Sequence, residues 1–247
     1  MGIALVTGGG GGVGRATAAA LAKAGHDVVV LGRSRDALEA VVAPLLAGGR
    51  RAVAVTADVA DRATVDAALR DAREALGPIT ILVNAAGVAE SSPLLPPDDV
   101  LFDRTMATNV RGAWVLSTAC LPDMFAAGRG RIVNVASTAA LQGFRYVAAY
   151  VASKHALLGL TRAMALDLKG RGVTVNALTP GFLDTPMTQR SIDRIAAATG
   201  RTREEALADL LASAEQSRLI PAEEVAEAVV RLLRPEADEV TGASIGV

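Results

Sequence analysis

The sequence has 247 residues, 51% of them hydrophobic but only 3% aromatic, so Ala, Val and Leu must build most of the core. A formal net charge of −1, without any block of like charges, argues against nucleic acid or an anionic membrane as the main partner. No uncharged run reaches the ~18 residues that a membrane helix requires. The N-terminus has no signal-peptide pattern and Cys120 is the only cysteine, so we expect a cytoplasmic protein without internal disulfides.

Short runs rich in β-branched residues alternate with longer segments of helical period along the whole chain. The runs that predict strands are 3–7, 27–32, 52–56, 79–84, 131–137 and 173–179, with a weaker pattern at the C-terminal end. The segments that predict helices are 13–24, 35–47, 61–76, 98–127, 149–169 and 221–233. The strand runs are continuously apolar, which is typical of a parallel sheet covered on both faces.

This alternation predicts an α/β protein with a Rossmann fold, a doubly wound and mostly seven-stranded parallel sheet with helices on both faces. No Pro-, Gly- or Ser-rich linker divides the chain, so we predict a single domain over residues 1–247. The longest insertion, at about 182–220, is polar, arginine-rich and helical in pattern. We expect it to form a flap over the sheet.

A glycine-rich loop, TGGGGGVG at 7–14, follows the first strand and opens the first helix. Glycines remove the Cβ atoms where backbone must approach a ligand closely, and a helix N-terminus offers free N–H groups to a pyrophosphate. A glycine loop alone is a weak signal, but its place between strand and helix is the context that a dinucleotide site requires. The loop therefore predicts dinucleotide binding.

The loop is accompanied by further motifs in a fixed order. They are Thr7-Gly8-x-x-x-Gly12-Val13-Gly14, NAAG at 84–87, Asn109 in NVRG, Ser137 after RIVNVA, Tyr150-x-x-x-Lys154 and PGFLDTP at 180–186. In this set and spacing the chain resembles the short-chain dehydrogenase/reductase family over nearly its whole length. The resemblance implies a dinucleotide-dependent enzyme that acts on CH–OH groups.

The end of the second strand indicates which dinucleotide is bound. A carboxylate there accepts hydrogen bonds from the ribose of NAD, whereas an arginine neutralises the 2′-phosphate of NADP. This chain has Gly32 in the place of the acid, followed by Arg33 and Ser34, and Arg35 is a further candidate. Because the planar guanidinium fork suits phosphate, we favour NADP(H), with NAD(H) possible.

The resemblance implies further contacts with the cofactor. It places Asp58 and Val59 at the adenine, and Asn84, Ala85 and Gly87 at the sheet centre beside the ribose, although Asn84 is equally suited to a structural role. The segment that holds the carboxamide in relatives is matched by Pro180, Gly181, Leu183 and Thr185.

Tyr150 and Lys154 stand four residues apart, so both side chains lie on one face of the predicted helix. A free tyrosine has a pKa of about 10, and a nearby cation lowers it by stabilising the phenolate. We therefore predict that Tyr150 exchanges a proton with a carbonyl or an alcohol while Lys154 lowers its pKa. The compact ammonium of Lys154 also suits hydrogen bonds to the nicotinamide ribose, so both residues are expected at the cofactor.

Two polar residues complete the predicted catalytic set. Ser137 falls at the carboxyl end of the fifth strand, where its hydroxyl would hold the substrate oxygen; neighbouring Thr138 is an alternative. Asn109 lies in the fourth predicted helix. The resemblance assigns it a water that links Lys154 to solvent, and a purely structural role in the helix is the alternative.

The substrate pocket is expected between 139–146, the 88–97 loop and the flap, with Leu141, Phe144 and Tyr146 in its wall. The chain resembles β-ketoacyl thioester and polyketide ketoreductases, which implies reversible reduction of a ketone. The flap also resembles 3-hydroxyacyl-CoA and 3-hydroxybutyrate dehydrogenases, which favour NAD. A dinucleotide sensor without catalysis is the alternative from another functional class.

The expected partners are a small carbonyl or alcohol substrate, including a CoA or acyl-carrier-protein thioester, and a second copy of the chain in a homodimer or homotetramer. Arg129 and Arg171 fall where carrier-protein reductases dock their carrier, although arginine is common at such loops. Two histidines without a matching carboxylate cluster predict no metal site.

Overall fold

A computed structural model describes residues 2–247. The strands are β1 Ile3–Thr7, β2 Asp27–Gly32, β3 Ala52–Thr56, β4 Ile79–Asn84, β5 Gly130–Val135, β6 Val173–Thr179, β7 Leu183–Asp184, β8 Ile220–Pro221 and β9 Ser244–Gly246. Seven of them form one parallel sheet in the order β3-β2-β1-β4-β5-β6-β9, with helices on both faces. The predicted fold class is confirmed.

The helices are α1 Gly12–Lys23, α2 Arg35–Ala47, α3 Arg62–Leu76, α4 Asp99–Met106, α5 Gly112–Ala126, α6 Ala148–Asp167, α7 Pro186–Thr199, α8 Arg203–Ala212 and α9 Ala222–Leu232. Side chains that accept from a free N–H fix several helix starts, including Ser34 before α2 and Asp61 before α3. The predicted single helix over 98–127 is divided into α4 and α5 by a π-helical turn at Ala107–Arg111.

Two apolar layers hold the helices to the sheet. On one face, buried residues of α1, α2 and α9 pack on alternate positions of the strands, with Leu21 and Val229 fully buried. On the other face, residues of α3, α5 and α6 do the same, with Leu116 among them. Burial of each Val or Leu side chain contributes ~1.5–3 kcal/mol to the free energy of folding. Aliphatic side chains therefore stabilise this core, which contains few aromatic residues.

The segment 182–220 folds as β7, α7, α8 and β8. Leu183 of β7 pairs with Ile220 of β8, so the two ends of the segment meet. Gln216 accepts a hydrogen bond from Phe182 N at 2.8 Å and donates one to Phe182 O at 2.8 Å. These contacts close the segment at its base, beside the carboxyl end of β6.

The order of the sheet reverses direction between β1 and β4, because the chain moves outward through β2 and β3 before it returns to β4. Open α/β sheets bind ligands at the carboxyl ends of the strands beside such a point. Within residues 2–247, no helix is long and apolar enough to cross a membrane. The same residues contain no group of three His, Cys, Asp or Glu side chains placed to hold a metal ion.

Candidate functional site

The glycine loop forms a tight cradle between β1 and α1. Gly8 has φ +63°, a left-handed conformation that favours glycine, and its carbonyl accepts from Gly11 N at 2.9 Å. A Cβ on Gly14 would lie 2.2 Å from Gly8 O, so no larger residue fits this position. The cradle presents backbone at the start of α1, which includes Val13, and it fits the pyrophosphate of a dinucleotide.

Thr7 ties the loop to the neighbouring strand. Its Oγ1 accepts from Ala85 N and Ala86 N, both at 3.0 Å, just after β4 ends. Asn84 is buried and donates from Nδ2 to Asn134 Oδ1 at 2.8 Å. The structural alternative for Asn84 therefore fits its contacts, whereas Ala85 is part of the edge that faces the cradle.

The PGFLDTP segment closes the cradle from the other side. A Cβ on Gly12 would lie 2.9 Å from Thr185 Cγ2, so the glycine loop and the start of α7 pack directly on each other. Pro180 O accepts from Thr138 N at 2.9 Å, which places Pro180 beside the end of β5. The segment continues through Gly181, which packs against the end of the Gln216 side chain, into Leu183 of β7.

Two exposed arginines follow the end of β2, and they differ in their contacts. Arg35 is held by Glu39 at 2.6 Å and donates to Ala54 O at 3.2 Å, so this further candidate points away along β3. Arg33 is exposed, and no hydrogen bond or ion pair with residues 2–247 engages it. Ser34 accepts from Ala37 N at 3.4 Å as the cap of α2.

The loop after β3 lies next to this end of the sheet. Asp58 is exposed, and its carboxylate accepts from Ala60 N at 2.9 Å, which shapes the turn. Val59 is buried against Gly112, where a Cβ would lie 2.8 Å from its side chain. Of the two residues assigned to the adenine, only Asp58 presents a polar side chain to solvent.

Tyr150 and Lys154 share one face of α6, as predicted from their spacing. Lys154 Nζ lies 5.5 Å from the centre of the Tyr150 ring. The ammonium is buried and donates to Val135 O at 2.8 Å, at the carboxyl end of β5. Gly87 lies beside this ammonium, since a Cβ there would be 3.8 Å from Lys154 Nζ and 3.3 Å from Asn109 Oδ1. The pair therefore sits at the sheet edge beside the cradle.

The predicted lowering of the Tyr150 pKa is wrong for the chain itself. Burial raises the pKa of Tyr150, and a hydrogen bond with the Ser137 side chain lowers it by a smaller amount. Burial also lowers the pKa of Lys154 to about 8, because a desolvated ammonium is costly. The phenol is therefore held in its protonated form at neutral pH, next to an ammonium that releases its proton more readily than a free lysine.

The π-helical turn places Asn109 against the helix that carries Tyr150 and Lys154. Its Oδ1 accepts from Val88 N at 2.8 Å, and its Nδ2 donates to Val88 O at 3.0 Å and to Ser153 Oγ at 2.9 Å. Ser153 in turn donates to Tyr150 O at 2.7 Å. Asn109 thus joins the backbone after β4 to the helix that carries Tyr150, and π-helical turns occur frequently at functional sites.

Ser137 lies just beyond the end of β5, since the strand ends at Val135 rather than at the predicted residue 137. Its backbone is extended, and its Oγ accepts from Ala139 N at 3.1 Å at the start of a short 3₁₀ turn. The side-chain contact of Ser137 with Tyr150 brings both hydroxyls to one place. Thr138, the alternative, starts the turn instead and donates its N–H to Pro180 O.

The mouth of the site is apolar and exposed. Leu141 is 55% and Tyr146 65% exposed, and Phe144 packs edge-on against Phe182 with ring centres 6.0 Å apart. Tyr146 has φ +64°, which is strained for a residue with a Cβ. Its carbonyl accepts from Ser92 N at 2.8 Å, so the 88–97 loop is fixed to this turn.

The structure thus brings the predicted catalytic residues, the glycine loop and the PGFLDTP segment to one edge of the sheet. The two arginines that suggested carrier docking both contact protein groups. Arg129 forms an ion pair with Asp238, and the guanidinium carbon of Arg171 lies 3.9 Å from the centre of the Phe125 ring. Sequence reasoning missed Ser153, although its position three residues after Tyr150 on one helix was a usable signal. It also missed the π-helical turn, for which no residue pattern stands out.

The lowered pKa of Lys154 predicts a pH dependence of stability. Between about pH 8 and the usual lysine value of 10.5, the folded protein binds fewer protons than the unfolded chain. The free energy of unfolding therefore rises with pH in that window. From about pH 7 to about pH 9 we expect the native protein to gain about 1 kcal/mol more than Lys154→Met, measured by urea unfolding.

The pH range of that measurement ends at about pH 9 because of Cys120. Burial raises the pKa of Cys120 from 9.0 to about 12, so above pH 9 its contribution to the free energy of unfolding falls with rising pH. Lys169→Met is the matched control, since Lys169 is exposed. It should show the same pH dependence as the native protein. Equal pH dependence of Lys154→Met and the native protein would show that Lys154 is not desolvated.

Comparison with known proteins gives one consistent result. The family model described as short chain dehydrogenase matches residues 2–196. The chain is 38% identical over 245 residues to a short-chain reductase protein, NovJ, of Streptomyces niveus, covering 99% of this chain and 92% of the relative. It is 39% identical over 243 residues to 2-(S)-hydroxypropyl-CoM dehydrogenase 3 of Xanthobacter autotrophicus, covering 98% and 93%.

Among solved structures, the chain superposes on a variant of actinorhodin polyketide ketoreductase crystallised with NADPH, with a TM-score of 0.94 and 34% identity. The match covers all of this chain and 95% of that one. Sequence and structure comparisons therefore agree over the whole length that the motifs span.

Proposed function

The chain belongs to the short-chain dehydrogenase/reductase family, and on that premise we propose that it reduces a ketone to a secondary alcohol with NADP(H). The observation that carries the proposal is the convergence of Tyr150, Lys154 and Ser137 beside the glycine cradle. A β-ketoacyl thioester or a related carbonyl is the favoured substrate, and the structural similarity to a polyketide ketoreductase supports this class.

The choice of NADP(H) rests on the end of β2. Arg33 is exposed and free of protein partners within residues 2–247, whereas Arg35 is engaged by Glu39. No carboxylate stands at Gly32, where one would repel a 2′-phosphate. NADPH in the crystal structure of a neighbour 34% identical to this chain supports the same choice.

Each catalytic residue has a role that its contacts support. The bound dinucleotide supplies the hydride that reaches the carbonyl carbon. Tyr150 donates its hydroxyl proton to the carbonyl oxygen, and Ser137 hydrogen-bonds that oxygen as charge develops on it. Lys154 stabilises the resulting phenolate, and the water that we assign to Asn109 links Lys154 to solvent, from which a proton returns to Tyr150. The raised pKa of Tyr150 favours this direction, because the phenol is protonated when the ketone arrives.

The proposed surroundings of the enzyme follow the same reasoning. We propose a cytoplasmic location and self-association through the outer face of α4 and α5, where Val100 is 78%, Phe102 45% and Trp114 49% exposed. A second copy of the chain is the proposed occupant of this apolar face, since the family resemblance implies that the helices that carry Asn109 and Tyr150 pair subunits. Segment 182–220 is proposed to act as the substrate flap.

The proposal is tested by consumption of NADPH with a panel of β-ketoacyl thioesters, free ketones and quinones. We expect turnover with at least one carbonyl class and a higher kcat/KM with NADPH than with NADH. Preference for NADH with 3-hydroxyacyl-CoA or 3-hydroxybutyrate would favour the dehydrogenase alternative. Binding of NADPH without turnover of any carbonyl would favour a dinucleotide sensor.

In the same assay, Arg33→Ala should raise the KM for NADPH by about tenfold or more, because it removes a charge-assisted contact with the 2′-phosphate. The KM for NADH should change far less. Arg35→Ala is the matched control two residues along the chain, and it should leave the NADPH to NADH ratio of kcat/KM close to that of the native enzyme. An equal effect of both variants would remove Arg33 from the cofactor site.

A further inference from the structure

The mouth of the proposed site carries arginines that the reduction chemistry does not use. Arg145 lies in the turn before α6, with its guanidinium carbon 6.0 Å from the centre of the Tyr146 ring. Arg194 lies on α7 and donates to Ser91 Oγ at 3.4 Å. Arg190 is one turn earlier on the same helix face, and all three side chains are exposed.

Arg145 and Arg194 are linked through the 88–97 loop. Ser91, which accepts from Arg194, is adjacent to Ser92, and Ser92 N donates to Tyr146 O at 2.8 Å. Arg145 immediately precedes Tyr146 and faces its ring. The 88–97 loop therefore links the two segments that carry these cations. Leu94 of this loop and Leu141 are exposed apolar side chains of the same region of the chain.

Nearby carboxylates are committed to other partners. Glu90 forms an ion pair with Arg104 at 2.8 Å, and Asp193 pairs with Arg203. Asp184 accepts from Gln189 at 3.0 Å. Within residues 2–247, no salt bridge engages Arg145 or Arg194. The mouth therefore keeps a local excess of positive charge beside an apolar wall.

We infer that Arg145 and Arg194 bind an anionic group at the far end of the substrate, so that the preferred substrate is a ketone with an apolar body and a carboxylate, sulfonate or phosphate terminus. The guanidinium fork matches the oxygens of all three groups. The apolar wall accommodates the body between this terminus and the reacting carbonyl. The inference deepens the proposed function and depends on it.

The test compares ω-carboxy ketones of increasing chain length with their methyl esters, which differ mainly in charge. In the native enzyme, kcat/KM for the best acid should exceed that for its ester by about tenfold or more, the ratio expected of one charge-assisted hydrogen bond. In the double variant Arg145→Gln and Arg194→Gln, the ratio should fall to about one, through the KM of the acid. Added salt should reduce the native ratio in the same direction.

Arg70→Gln is the matched control, because Arg70 is an exposed arginine of α3, outside the mouth. It should keep the native ratio of acid to ester. A native ratio of one, or a ratio that the double variant preserves, overturns the inference. If the native enzyme still reduces the esters in either of these outcomes, the proposed ketone reduction stands although the anion site is refuted.

A binding measurement covers the case in which no ketone is turned over and the proposed function fails. The keto acids are then titrated calorimetrically into the complex of the protein with NADPH. Weaker binding of the acid to the double variant than to the native protein or to Arg70→Gln supports the anion site independently of turnover. Equal binding to all three proteins overturns it.

Discussion

Replacement of Tyr150 by Phe is expected to reduce kcat for ketone reduction by about a thousandfold or more, within the range of general acid catalysis. The substitution removes only the hydroxyl that contacts Ser137 and leaves the ring beside Lys154. Steady-state consumption of NADPH measures the loss. Fluorescence titration of NADPH should show nearly native affinity, because the cradle at Gly8 and Gly14 is unchanged.

The only other tyrosine of the chain provides the matched control. Tyr146→Phe removes an equivalent hydroxyl from a ring that is 65% exposed at the mouth. It should lower kcat far less than Tyr150→Phe. Substantial activity of Tyr150→Phe would refute the proton-donor role, and equal losses in the two variants would show that the hydroxyl of Tyr150 has no special position.

Replacement of Gly14 by Ala is expected to weaken NADPH binding by about 100-fold or more, which corresponds to about 2.7 kcal/mol. The added Cβ would lie 2.2 Å from Gly8 O and 2.9 Å from Gly9 Cα, both backbone atoms, so the loop must change shape. Overpacking of this kind costs about 1–3 kcal/mol of stability as well. Fluorescence titration and thermal unfolding measure the two effects.

Gly11→Ala tests the same loop without that clash. Gly11 has φ −86°, which any residue adopts, and its Cβ would lie 3.3 Å from its nearest neighbour, Gly8 O. We expect a smaller loss of thermal stability than for Gly14→Ala. Native NADPH affinity in Gly14→Ala would show that the loop does not hold the pyrophosphate in this conformation.

The sequence located the strands well because each is a short apolar run between polar or glycine-rich boundaries. The first four predicted strands match the structure residue for residue, and so does β6. The fifth was predicted to start one residue late and to end two residues late, because Ala136 and Ser137 follow the strand run while the backbone already turns toward Thr138. Pattern reasoning has no access to such a turn, since it depends on the Thr138 hydrogen bond to Pro180.

The sequence predicted the members of the site better than their electrostatics. The helical period was enough to place Tyr150 and Lys154 on one face. The sign of the Tyr150 pKa shift depends on how much water the folded chain excludes, and burial outweighs the hydrogen bond with Ser137. Likewise, Arg33 and Arg35 are both arginines beside β2 in the sequence, and the contacts of Arg35 with Glu39 and with Ala54 O distinguish them in the structure.

The sequence alone determined the class of the fold and the chemistry on offer, because periodicity and residue type are local properties: parallel strands, a glycine cradle, and a phenol with an ammonium on one helix. Only the tertiary structure decided which groups meet. At the π-helical turn, Asn109 contacts Ser153, and at the mouth Arg194 contacts Ser91. Both contacts join residues that are distant in the chain. Their arrangement follows from packing of the whole chain, which no local pattern encodes.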